Sequence, residues 1–258
     1  MKLKINNACQ DSRENRLDTI QEGLGQFQRH AQNLKVMSID KKQSYDWLLN
    51  KHYAKRIPSI SYCFGLYLHN KLIGVCTFGF PPNYNYNNGK CVFNNYECLT
   101  LELNRLIVNE SLPKNTLSFF VSKCLKILPK PSCIVSYADR NSGHNGYIYQ
   151  ATNWIYTGES TPKHKYIFEN GTEFDVRRGI ENKGKIVDKI LLLPTYRYIY
   201  FNGNKKNIKK MKKDFKMNIK PYPKGKNKNY DTSYKPKVQQ DLFVCAIITQ
   251  INKCIKKI

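Results

Sequence analysis

This chain is short of acid. Only 19 Asp and Glu stand against 43 Lys and Arg, a formal net charge of +24. The sequence pI is about 9.6. Such an imbalance disfavours basic partners and favours polyanions: nucleic acid, an anionic membrane surface or an acidic protein. The nine cysteines include no CxxC pair and their number is odd, so neither a disulfide framework nor a zinc ribbon is written here. They read as small buried hydrophobes in a reducing cytosol. Long apolar runs are missing as well, and the opening MKLKINNACQDSRENR has no apolar signal core. The expectation is a soluble, cytoplasmic protein with no membrane partner. Oligomeric state is left open by the sequence.

What is present is enough for a core. Hydrophobic residues make up 41% of 258, which sustains one large domain with an appendage. Asn33 to Ile39 reads as a strand, and Asp40 as the cap of a helix through Trp47 and Leu48. Ser61 to Leu68 and Leu72 to Phe80 read as a hairpin turning at His69-Asn70-Lys71. Leu99 to Val108 alternates early and turns apolar late, as a central strand does. Pro113 stands where a helix begins, with Leu117, Phe120, Val121, Cys124 and Leu125 on its apolar face. Cys133 to Tyr137 is a further strand. Gly143 to Asn153 reads as a short helix, and Trp154 to Tyr156, Lys165 to Glu169 and Glu173 to Val176 as closing strands. The order predicts an α/β (α+β) fold, a central mixed sheet with helices on its faces.

The densest chemistry lies in Tyr137–Tyr156, YADRNSGHNGYIYQATNWIY. Just past a strand end it gathers Asp139, His144, Tyr149 and four further large rings, the mixture that a site for a flat polar molecule needs. Beyond Gly179 the character changes. Residues 203–230 carry eleven lysines against one acid, Asp214. Tyr196, Tyr198, Phe201, Phe215 and Tyr222 border or interleave that run, which reads as a phosphate-tracking arm with stacking rings or as a solvated lysine tail. Lys205, Lys206, Lys209, Lys210, Lys212, Lys213 and Lys216 are its DNA-binding candidates. The expected organisation is a lead-in over 1–32, a catalytic domain over 33–178 and a basic extension over 179–258.

The segments HY at His52-Tyr53, ELNRLIV at Glu102–Val108, PKNTLSFF at Pro113–Phe120 and SYADRNSGHNGYIYQATNWIYTG at Ser136–Gly158 resemble the phage Mom-type DNA-modification proteins. The resemblance implies a branch of the GNAT acetyltransferase fold. It also implies an enzyme that adds a carbamoylmethyl group to N6 of adenine in double-stranded DNA and so protects phage DNA from restriction. The adenine would have to be flipped out of the stack. Asp139 is then a candidate proton acceptor, with Tyr149, His52, Tyr53, Arg105 and His144 as further catalytic candidates. An acyl-CoA would sit at Val108, Lys114, Asn115, Thr116 and Ser118, although Pro113-Lys114-Asn115 replaces the usual glycine-rich loop. Acyl transfer from a thioester makes an amide, not an N–CH2 bond, so something else must activate the methyl carbon. The resemblance implies iron for that purpose, held by His52, Tyr53 and Asp139, a hard N/O set. Two readings stand beside this one: a plain N-acetyltransferase for a protein or small amine, and a non-catalytic nucleic-acid-binding protein.

Overall fold

The computed structural model describes residues 31–82, 89–110, 112–175 and 185–225. The lead-in up to residue 30 and the end of the basic extension from residue 226 lie outside these. Among the described residues, ten strands and three α-helices follow in the order β1 Leu34–Ser38, β2 Tyr62–Leu68, β3 Lys71–Gly79, β4 Leu99–Val108, α1 Thr116–Ile127, β5 Ser132–Ala138, α2 Tyr147–Ala151, β6 Ile155–Glu159, β7 Lys163–Phe168, β8 Glu173–Asp175, β9 Ile186–Leu192, β10 Tyr196–Asn202 and α3 Lys205–Asp214. Seven strands form one sheet in the order β1-β2-β3-β4-β5-β10-β6, and a small second sheet runs β8-β7-β9. The mixed α/β architecture is the expected one. The β2–β3 hairpin turns on His69 and Asn70, both at positive φ (47° and 66°), as a tight two-residue turn requires.

Every pairing in the large sheet is antiparallel except β4 with β5. That parallel ladder is short, from Leu99↔Ser132 to Glu102↔Val135. Past it β4 stays with β3 and β5 stays with β10, so the two middle strands part. A fork of this kind at the carboxyl ends of parallel strands is where open sheets bind ligands.

The sheet is covered on both faces. On one, α1 buries Phe120, Val121, Cys124 and Leu125 against Leu101, Leu103, Ile134 and Trp154. The other face carries two clusters: Trp47 and Leu48 pack on Val75 and Ile107, and Met211 of α3 packs on Val135, Ile199 and Phe201. We call these the α1 face and the α3 face.

Four expectations for the C-terminal part are corrected. The division at 178/179 does not separate domains, because β10 lies inside the large sheet between β5 and β6. Nor are Tyr198 and Phe201 stacking rings of an arm: they are 0% and 6% exposed, and alternate in YRYIYFN as a strand's two faces do. Likewise Lys163–Phe168 and Glu173–Asp175 do not close the large sheet but build the small one. Where an arm was expected, Lys205–Asp214 is a docked helix. Asn204 caps it by accepting from the Asn207 N–H at 2.8 Å, Met211 is its buried residue, and its lysines face solvent. Asp214, the one acid of the run, accepts from the N–H groups of Asn95 and Tyr96 at 2.8 and 2.5 Å and pins the helix's end.

Candidate active site

A cleft of about 920 Å³ opens at the fork. Its β4 wall is built by a bulge. Arg105 pairs with Thr77 but Leu103 with Phe78, so Asn104 is an extra residue. It is held in place, accepting from the Thr77 hydroxyl at 2.6 Å and donating to the Ser59 carbonyl at 2.8 Å. Strand alternation would have left Arg105 on the α1 face with Leu101 and Leu103. The extra residue turns it to the α3 face, as bulges near sites do. There Arg105 is 8% exposed and its Nη1 donates to the Asn104 carbonyl at 2.5 Å.

His52 and Tyr53 follow a π-helical turn, Trp47–Lys51. Lys51 fastens that turn to the end of β4. Its buried ammonium lies 2.8 Å from Glu110 and 3.3 Å from Asn109 Oδ1, over the Trp47 ring. The His52 and Tyr53 rings stack, with centroids 4.3 Å apart, and Tyr53 meets His144 at 5.6 Å. Burial, then the charges of Arg105, His144 and Arg56, push the His52 imidazole from its ordinary 6.5 to about 3. Its Nδ1 accepts from the Ala54 N–H at 3.0 Å, so Nε2 carries the proton. His52 is therefore a neutral hydrogen-bond donor.

Tyr149 sits on the α1 face between the rings of Trp154 and Tyr198, each 5.0 Å away. Its hydroxyl is 2.7 Å from the Ser136 hydroxyl, which is also 2.7 Å from the Leu103 carbonyl. Ser136 thus bridges the two strands just where their ladder ends. Burial pushes the Tyr149 phenol well up, against the pull of the Ser136 bond.

The structure brings His52, Tyr53, Arg105, Asp139, His144 and Tyr149 to the lining of one cleft, with Val108, Lys114, Asn115 and Thr116. Trp154 and Tyr156 are core. Ser118 is not among the lining residues; its hydroxyl turns back to the Asn115 carbonyl at 3.0 Å, as Thr116's does to Pro113 at 2.8 Å. What remains at the start of α1 are the Leu117 and Ser118 N–H groups, which no residue within the helix can satisfy, beside Lys114 and Asn115. That cradle fits a pyrophosphate.

Iron does not fit the set proposed for it. Asp139 caps the 3-10 turn Arg140–Ser142: Oδ1 accepts from the Asn141 N–H at 3.0 Å and from Asn141 Nδ2 at 3.1 Å, and Oδ2 from Ser142 at 3.3 Å. His52 has one nitrogen accepting and the other protonated. Among the described residues, no three His, Cys, Asp or Glu side chains gather as a metal site.

A profile of the Mom protein family matches residues 33–224. The chain belongs to the Mom protein family. Methylcarbamoylase Mom of Escherichia phage Mu is 29% identical to it over 210 residues, which cover 75% of this chain and 85% of that protein. Solved structures with a similar fold include yncA, a putative acetyltransferase from Salmonella typhimurium with its cofactor acetyl-CoA. It is 10% identical at a TM-score of 0.41, covering 67% of this chain and 95% of that one. NAA60 of Arabidopsis thaliana in complex with acetyl-CoA is 9% identical at the same TM-score, covering 65% and 99%. Likeness at that level says nothing of what this chain binds. The segments that resemble Mom proteins fall on the fork itself: ELNRLIV is β4 with its bulge, PKNTLSFF is the start of α1, and the long motif is the end of β5 with α2.

Sequence reasoning misses three contributors. Asn104 as a bulge has no sequence mark. Ser136 looks like an ordinary strand residue, and only its place at the fork gives it a role. Arg197 falls in a stretch that reads as part of a tail, although the alternation of YRYIYFN is a signal for a strand. Finally, no helix among the described residues is long and apolar enough to cross a membrane.

Proposed function

We propose that this protein is a DNA-modifying transferase that places a carbamoylmethyl-type group on N6 of adenine in double-stranded DNA, guarding phage DNA against host restriction. The observation that carries this reading is the fork, with an anion cradle on its α1 face and a wall of rings and cations on its α3 face. Family membership supports it.

Adenine N6 is a weak nucleophile, its lone pair delocalised into the ring, and in a duplex it is paired and stacked. The base therefore enters flipped, from the α3 face. Tyr53, 42% exposed and backed by His52, offers it a stacking surface. His52 Nε2–H donates to a ring nitrogen of the base. Since the Asp139 carboxylate is committed to its turn, Glu102 is the carboxylate placed to take the N6 proton: it ends the parallel ladder and lines the cleft on the α3 face. Tyr149 faces the same gap from the α1 side. The cradle of Lys114, Asn115 and the first α1 amides would hold the phosphates of an acyl-CoA; its thioester activates the carbonyl carbon, so the N–CH2 bond also needs a co-reactant that oxidises the methyl carbon and a donor of the amide nitrogen. No step is routed through iron.

The test is a nucleoside mass spectrum. DNA from cells making the protein should yield carbamoylmethyl-deoxyadenosine; an N-acetyl product or unmodified DNA from soluble protein overturns the reading. Glu102→Gln should lose the product while binding DNA as tightly as the wild type.

A further inference from the structure

One guanidinium in the cleft lacks the partner its chemistry asks for. Arg197, on β10, faces the same side of the sheet as Ile199 and Phe201, the α3 face, and lines the cleft. It is held rigidly. Its Nε donates to the Thr157 hydroxyl at 2.9 Å and its Nη2 to the Thr157 carbonyl at 3.2 Å. Both partners are neutral. Among the described residues Arg197 makes no ion pair, whereas its neighbour Arg140 is paired with Glu159 at 2.9 Å and lies over the Tyr196 ring. Two of the five guanidinium N–H groups are used in docking the side chain, and the rest of the fork is left for a ligand. A fixed, charged, planar donor in a cleft is suited to a phosphate or carboxylate.

We propose that Arg197, keyed onto Thr157, is a contact for a backbone phosphodiester of the bound nucleic acid; this rests on the DNA-modification reading above. The side of the sheet selects the source of the phosphate. The start of α1, where a cofactor's phosphates would go, is on the opposite face. The exposed lysines of α3 share the face of Arg197 and lie at the far end of β5 and β10, since Asn202 pairs with Ser132 there and Tyr196 with Ala138 at the cleft. Six residues of strand span roughly 20 Å. That is about six base-pair steps of duplex at 3.4 Å each. Arg197 is thus the cleft end of a basic track that begins at α3, and it holds the strand beside the flipped base.

Fluorescence anisotropy of a duplex oligonucleotide across a salt series tests this on the full chain. Arg197→Gln should weaken binding roughly tenfold at low salt and reduce the slope of log Kd against log salt by about 0.9, as expected when one phosphate is no longer neutralised. Arg197→Lys should keep the slope and recover only part of the affinity, because a point charge lacks the keyed fork. Thr157→Val, which removes one docking bond, should weaken binding with the slope retained. An unchanged slope in a folded Arg197→Gln overturns the assignment, as does a fall in acetyl-CoA affinity with DNA binding intact, which would hand the site to the cofactor. A wild-type chain that binds no duplex overturns the parent reading and this one together.

Discussion

His52 shows how one residue's surroundings decide what it can do. Packed under Tyr53 and facing Arg105, Arg56 and His144, it stays neutral down to about pH 3, against 6.5 when the chain is unfolded. Below pH 6.5 the unfolded chain therefore binds a proton that the folded one refuses. The stability this His contributes is complete above pH 6.5 and is lost as pH falls toward 3, at about 1.4 kcal/mol per pH unit. Between pH 6.5 and 5 the wild type should lose about 2 kcal/mol more than His52→Gln. Urea unfolding at both pH values would show it, and parallel losses in the two proteins would remove the neutral-donor role assigned here. The prediction is specific to a buried imidazole: an exposed one would titrate alike in the folded and unfolded chains and give no such difference.

Elements carry the next level of consequence. The hairpin, β4, the α1 start and the short helix in the long motif are readable from sequence, since each has a strong local signal: alternation, a proline start or turn residues. What is not readable depends on long-range packing. Lys-rich Lys205–Asp214 has the composition of a solvated tail, and only Ile208 and Met211, meeting Val92, Phe93 and Phe201 from far along the chain, make it part of the core. The site residues are mostly legible by type but not by role. Asp139 reads as a proton acceptor and is found capping a turn; Glu102 reads as one residue of a strand and is found where the ladder ends. The docked helix separates two effects that a tail would not. Changing Lys205, Lys206, Lys209 and Lys210 to Gln should leave the melting temperature within a few degrees. It should also flatten the salt dependence of DNA binding by about 0.9 for each phosphate that these lysines neutralise. Met211→Ala should instead cost about 2–5 kcal/mol of stability, because Met211 is wholly buried. A Met211→Ala protein as stable as the wild type would mean that the helix is not docked.

At the scale of the whole molecule, the fork sets its lining residues on the two faces of one sheet. The cradle at Lys114–Leu117 belongs to the α1 face with Tyr149 and Ser136, and Arg105, His52 and Arg197 belong to the α3 face. The bulge at Asn104 creates that division, because without it Arg105 would lie on the α1 face. Two ligands that approach from opposite faces meet only at the gap, so neither has to leave for the other to enter. Acetyl-CoA and a duplex oligonucleotide should therefore bind together, and saturating DNA should change the acetyl-CoA Kd by less than about threefold, under about 0.7 kcal/mol of coupling. Titration calorimetry of acetyl-CoA with and without duplex measures this directly. Strict competition would place both ligands on one face and would reassign the cations of the cleft to the cofactor. Lys114→Gln sharpens the comparison: it should weaken acetyl-CoA alone, just as Arg197→Gln weakens DNA alone, and a variant of either residue that weakened both ligands equally would show that the sheet does not separate them.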